Sequence, residues 1–176
     1  SFDFATAIMS FMDTPEMDCV LAQIYRVLKP GGFLQFSITH PCFETPHSRT
    51  LRDEEGRPYA REIGGYFRDL RGQVIEIGFG AAPPEIWRGR PKFKIPRFNR
   101  TLSQWLNMVM EGGFVMERIE EPRPSDDTVR QHPRLQGAQV VASFLHVRAR
   151  RPRAGIGGSR GPGSGREHTA EPLCKA

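Results

Sequence analysis

The chain has 176 residues, 38% of them hydrophobic, which is enough for one domain with a real core, and it contains no apolar run long enough to span a bilayer. Its net charge of +5 hints at nucleic acid, yet from Arg148 onward seven Lys/Arg face two Asp/Glu, so residues 1–147 carry 18 charges of each sign and the excess belongs to the tail. The three cysteines are irregularly spaced and give no disulfide framework, and no basic-then-apolar leader precedes the first strand, so a reducing, cytoplasmic setting is expected.

In chain order, Phe2 to Met9 is a mostly apolar run, the pattern of a strand covered on both faces in a parallel sheet. A chain that begins at Ser1 with a core strand reads as cut off upstream. Thr14, Pro15 and Glu16 suit a helix start as cap, first helical residue and dipole partner. Met17, Val20, Leu21, Ile24, Val27 and Leu28 then recur at three- and four-residue spacing, which makes one stripe apolar. Lys29-Pro30-Gly31-Gly32 is expected to stop that helix through a left-handed glycine cap, and Phe33 to Thr39 alternates as the next strand. Strand, helix and strand with tight connections make a βαβ unit with a right-handed crossover.

Further on, Thr101 with Gln104 forms a capping-box pattern ahead of the apolar stripe Leu102, Trp105, Leu106, Val109 and Met110, ended by Gly112-Gly113. Phe114 to Glu120 reads as a strand, and Val140 to Val147 as the last one. No helix is expected in the Pro- and Asp-rich connection between them, so they should pair antiparallel. Between the two units lies Pro41 to Arg100, a stretch far longer than a usual connection, rich in aromatic residues among Gly and Pro, with one strand at Val74 to Ile77. From Arg148 the composition turns to Arg, Gly, Ser and Pro, which reads as a disordered basic tail over residues 148–176.

The run FDFATAIMSFMDTPEMDCVLAQIYRVLKPGGFLQFSITHP, and its RVLKPGG turn above all, resembles the fourth strand, following helix and fifth strand of class I S-adenosylmethionine-dependent methyltransferases. RTLSQWLNMVMEGGFVMERIEEP resembles the last helix and sixth strand of that family, and SFLHVRARRP its closing antiparallel strand. The closest likeness is to the type 11-like, small-molecule branch. The resemblance implies an α/β fold for residues 1–147: the C-terminal half of a Rossmann-like methyltransferase sheet, mainly parallel with a final antiparallel strand, and a long lid insertion at 41–100.

It also implies function. S-adenosyl-L-methionine would be the cofactor, a small-molecule nucleophile the methyl acceptor, and the loop matching Ser10, Phe11 and Met12 would flank the methionine part of the cofactor, because ligands of such folds sit at the carboxyl ends of the strands. His40 is a candidate base for the nucleophile. Phe43, Tyr66, Phe67, Trp87 and Phe98 are candidate substrate contacts, since an aromatic lid excludes water and its ring faces favour a cation. The glycine-rich loop and ribose-binding acid of the family are expected upstream of Ser1. Gly78-Phe79-Gly80, followed by Ala-Ala-Pro-Pro, does not replace that loop.

Three bland readings stand beside these. Ser10 to Asp13 is also an ordinary strand-to-helix loop, Arg97 and Arg100 could meet an anionic substrate but read rather as solvated surface, and His40, Cys42 and His47 lack the fourth ligand of a zinc site, so no metal is expected. Two alternative functions are a noncatalytic scaffold module that kept a half-fold, and an RNA-associated protein acting through its basic tail; no membrane partner is expected, and nucleic acid is the less favoured partner.

Overall fold

The computed structural model describes residues 1–77 and 91–153. Its centre is a four-stranded sheet. Strand β1 (Phe2–Ile8) runs parallel to β2 (Leu28–Thr39), and β8 (Phe144–Arg150) is antiparallel to both β2 and β7 (Val115–Glu120). The order is β1-β2-β8-β7, so three parallel strands enclose one reversed strand. The expected α/β architecture, mainly parallel with a final antiparallel strand, is therefore present.

Helices α1 (Met17–Val27) and α2 (Leu102–Glu111) cover one face of this sheet. Strand alternation sends Leu34, Phe36 and Ile38 from β2, and Leu145, Val147 and Ala149 from β8, to that face. There they close on Met17 and Leu21 of α1 and Trp105 and Val109 of α2, all buried. The opposite face carries Phe4, Ile8, Phe33 and Phe144 without a helix above them among the described residues.

Local chemistry explains most boundaries. The capping box forms as expected: the Gln104 N–H donates to Thr101 Oγ1 at 3.2 Å, and the Thr101 N–H donates to Gln104 Oε1 at 2.7 Å. The start of α1 differs from the sequence reading. A 3-10 turn occupies Phe11–Asp13, the Thr14 hydroxyl donates back to the Ser10 carbonyl, and the helix begins only at Met17 without a side-chain cap. Its end differs as well. Leu28 turns straight into β2, and the glycines lie inside that strand: Gly31 has φ +84°, and a Cβ on Gly32 would come 2.9 Å from the Asp3 carbonyl of β1. Here glycine allows close approach between strands and does not cap a helix.

Three further corrections concern the irregular parts. The insertion holds two hairpins, β3 (His47–Arg52) with β4 (Pro58–Gly64) and β5 (Gln73–Ile77) with β6 (Phe93–Arg97), where one strand was expected. Polar alternation in HSRTLR and PYAREIG carries little hydrophobic signal, which hid the first pair. The connection before the last strand, expected to hold no helix, forms α3 (Asp126–Gln131), capped by the Ser125 hydroxyl, then a 3-10 turn and the single turn α4 (Gly137–Val140) against β4. The last strand starts at Phe144 and runs through Arg148 and Arg150, because those arginines have partners in the fold; the disordered tail assigned to 148–176 does not include them. Arg151 of that assigned tail also has partners, and residues 154–176 lie outside the described residues, as do Gly78-Phe79-Gly80 and Trp87.

Candidate functional site

All three parallel strands deliver their carboxyl ends to the same edge of the sheet. β1 leaves through Met9, whose φ of +53° is a strained left-handed conformation for a side chain of that size. Its N–H still donates to the Ser37 carbonyl of β2 at 2.9 Å, so the strain falls where pairing ends and the chain swings into the Phe11–Asp13 turn. Ser10 is exposed at the lip of this turn. Phe11 and Met12 point their side chains into the core, with the Phe11 ring 5.1 Å from that of Phe36. Of the three residues expected to flank the cofactor, Ser10 alone is exposed, and Phe11 and Met12 are buried and form the floor beneath it.

β2 ends at Thr39, followed by His40, which is buried at 2% exposure. Its Nδ1 accepts the Cys42 N–H at 3.2 Å, which leaves the ring proton on Nε2, 2.7 Å from the carboxylate of Glu121 just past the end of β7. Its main chain is equally engaged: the His40 N–H donates to Ser143, and its carbonyl accepts from Phe43 and Glu44. Both ring nitrogens of the expected base are thus occupied by protein. In this arrangement His40 ties the ends of β2 and β7 together, and the Phe43 ring lies 4.7 Å from it as part of the same clasp. His47 instead meets Glu62 on the β3–β4 hairpin, so His40, Cys42 and His47 do not converge.

The insertion is fastened to this edge by arginines. Arg61 of β4 donates to the Glu44 carboxylate at 2.6 Å, to the Phe43 carbonyl at 3.0 Å and to the Ser48 hydroxyl at 3.0 Å. Burial pushes the Glu44 carboxyl up, against the opposing pull of Arg61 and Arg97. Arg97 of β6 pairs with Asp13 at 3.1 Å, and the Phe98 N–H donates to the Met12 carbonyl at 3.0 Å, which joins the insertion directly to the loop after β1. Arg100 donates from one nitrogen to the carbonyls of Thr14 and Pro15, and its guanidinium lies 5.1 Å from the Trp105 ring. Reading Arg97 and Arg100 as solvated surface was therefore wrong: both are partly buried and hold the insertion in place.

Two adjoining cavities result. A narrow one of about 20 Å³ is lined by Met12, Thr39 and Glu44 together with Tyr66, Phe98 and Arg100. The wider one, about 390 Å³, shares Tyr66, Phe98 and Arg100 and adds Phe67 and Arg68. Tyr66 is fixed by accepting the Leu102 N–H at 2.9 Å, and Phe67, 87% exposed, packs edge-on against it. Of the expected aromatic contacts, the structure gathers Tyr66, Phe67 and Phe98 and leaves Phe43 with His40. The residues missed in the sequence are Glu44, Arg61 and Glu121. Glu121 alone left a signal, as one of two carboxylates at a strand end beside a proline.

The family model for a methyltransferase domain matches residues 1–36, and no curated protein matches the sequence significantly. Among solved structures, an S-adenosylmethionine-dependent methyltransferase from Mesorhizobium loti is 26% identical with a TM-score of 0.65, over 86% of this chain and 63% of that one. A Listeria monocytogenes protein assigned to the same enzyme class is 18% identical with a TM-score of 0.63, over 87% of this chain and 62% of that one. The chain thus spans less than two thirds of the length of either. It carries the fold of the class I S-adenosylmethionine-dependent methyltransferases, and its first 36 residues match the methyltransferase-domain family.

Proposed function

We propose that the chain is the acceptor-side portion of an enzyme that moves a methyl group from S-adenosylmethionine to a small-molecule nucleophile. The observation that carries this reading is the convergence of three parallel strand ends on one edge, beneath an insertion that brings Tyr66, Phe67 and Phe98 to a cavity there. Clefts at the carboxyl ends of such strands are where ligands of this fold bind.

The residues present fit one end of the cofactor. Ser10 forms a ledge over the buried Phe11 and Met12, stiffened by the Met12 to Phe98 hydrogen bond and by the Asp13 to Arg97 ion pair, suited to the methionine portion. S-adenosylmethionine supplies an electrophilic methyl group on a sulfonium, which passes in line to a nucleophile. The protein's contribution is positioning and exclusion of water. Tyr66 and Phe98 wall the acceptor off from solvent. Glu44, half-buried at the narrow cavity with its carboxyl pushed up, is better placed than His40 to take a proton from an acceptor, since both nitrogens of His40 are engaged.

Nucleic acid fits less well. Arg148 and Arg150 are committed to Glu117, and Arg151 to backbone carbonyls of α1 and β2. No helix among the described residues is long and apolar enough to cross a membrane. Calorimetric titration of the full-length protein, with the glycine-rich loop expected upstream of Ser1 included, against S-adenosylhomocysteine tests the proposal. Saturable heat at up to millimolar ligand, weakened by Ser10→Tyr, is the expected result, and a flat isotherm over that range overturns it.

A further inference from the structure

The wider cavity is unusual in its charge. Arg68, Arg71 and Arg100 line it against one carboxylate, Asp69, whose side chain is already 3.5 Å from Arg71. Arg68 has no partner for its guanidinium among the described residues. Arg100 is held without a carboxylate in hydrogen-bond contact, although Asp18 and Asp69 act on it from farther off: its acceptors are two neutral carbonyls, Thr14 at 2.9 Å and Pro15 at 2.7 Å, and its flanks are the rings of Trp105 and Phe98. Its remaining terminal nitrogen, Nη1, is buried and has no hydrogen-bond partner among the described residues. Leaving a buried charged donor unpaired is costly, so the Arg100 guanidinium is short of one acceptor, and its charge is not quenched at the cavity it lines.

Two neighbours reinforce that reading. The cavity borders the N-terminal turn of α2, where helix dipoles favour negative charge. Tyr66 accepts from Leu102, and its own hydroxyl proton has no acceptor among the described residues. The remaining walls, Tyr66, Phe67 and Phe98, are flat and largely apolar.

We infer that this cavity is an oxyanion subsite, taking the carboxylate or phosphate of a methyl acceptor whose flat, apolar body lies against Tyr66 and Phe98. The inference rests on the methyltransferase reading for the word acceptor, but not for the binding itself. Tyr66, Phe98 and Arg100 line both cavities, so an acid held by Arg100 and Arg68 leaves the far end of the molecule directed toward the narrow cavity at Met12, Thr39 and Glu44. In that pose the arginines fix orientation and Glu44 faces the reacting end.

The test uses Trp105, which lies under Arg100 and becomes the sole tryptophan once Trp87→Phe is introduced. Phenyl phosphate and benzoate should each change its emission saturably, and whichever is tighter identifies the oxyanion. Neutral benzyl alcohol should bind at least about tenfold more weakly, as loss of charge-assisted hydrogen bonds requires. Arg100→Gln should weaken the anions by about tenfold or more. Arg68→Gln, a change at an exposed side chain that leaves the fold intact, should weaken them by roughly threefold, whereas Arg57→Gln on the distant hairpin should have no effect. Benzyl alcohol binding as tightly as the anions, or anion affinity unchanged in Arg68→Gln and in a folded Arg100→Gln, overturns the inference. Calorimetry with S-adenosylhomocysteine on the same variants of the full-length protein separates the two claims. Cofactor heat without anion binding removes the subsite alone; anion binding without cofactor heat removes the methyltransferase reading, and with it the assignment of this cavity to an acceptor.

Discussion

The two faces of the central sheet obey the same alternation and meet opposite fates. Toward the helices, Leu34, Phe36, Ile38, Leu145, Val147 and Ala149 are at most 1% exposed; on the other side, Phe4 and Ile8 are 58% and 65% exposed. Apolar residues therefore occur on both faces while helical cover is supplied to one. On the open side charged groups stand in for it: the Arg148 guanidinium lies 3.8 Å above the Phe33 ring, and Phe33 in turn stacks on Phe4 at 5.6 Å. Alternation in a sequence thus reports which residues favour burial, while coverage depends on what else is packed there. The composition of β1 calls for cover on both faces, and the described residues provide it on one.

The sharpest way to break this comparison is to truncate an aromatic ring on each side. Phe36→Ala should cost about 3–5 kcal/mol in urea unfolding, the usual range for a fully packed ring, while Phe4→Ala should cost less than about 1 kcal/mol. Equal losses would mean that the open face is covered in solution. Next comes the stitch at the sheet's far end. Arg151→Gln removes hydrogen bonds to the carbonyls of Tyr25 and Leu28, 2.7 and 2.6 Å away, and should cost about 1–3 kcal/mol, measured as a lower denaturation midpoint. Thr101→Ala weakens the helix that supplies the cover and should cost about 1 kcal/mol, with Thr101→Ser restoring most of it.

The smallest effect belongs to the charges of the open face. Hydrogen bonds from Arg150 and Arg148 hold the Glu117 carboxyl below its usual range. A carboxyl lowered on folding contributes stability at neutral pH, and that contribution is lost as pH falls through the usual carboxylate range toward its depressed value. Glu117→Gln should therefore flatten the acid limb of a stability–pH curve slightly, and leave Phe36→Ala as damaging as before. A large change at neutral pH would show these arginines to be structural cover in the full sense, which screened surface pairs rarely are.

Much of the covered face could be read from the chain. The stripe from Met17 to Val27 and the Thr101 capping box rest on local periodicity or a short-range motif, and these survive folding; the last strand is reversed as expected, although the connection before it holds α3 and α4. What escaped reading was long-range. Nothing near His40 indicates that its ring will meet Glu121, 81 residues away, and nothing near Arg100 indicates that it will donate to Thr14 and Pro15, 86 and 85 residues back. Polar residues were taken as solvated because their partners come from other elements. The hairpin β3–β4 was missed for a related reason: its Arg61 is sequestered by Glu44, Ser48 and the Phe43 carbonyl, not by any hydrophobic pattern.

The stitch at Arg151 also carries a consequence for how the polypeptide is made. The last carbonyls around the end of α1 receive their donors from a residue more than 120 positions downstream, whose main chain also exchanges hydrogen bonds with Gly31 and Gly32. On a ribosome, the opening strand–helix–strand unit must wait with that end unfinished until almost all of the described chain has emerged, and contacts of such wide separation slow folding. Release of the final strand, and not completion of the first crossover, is then the event that locks the domain.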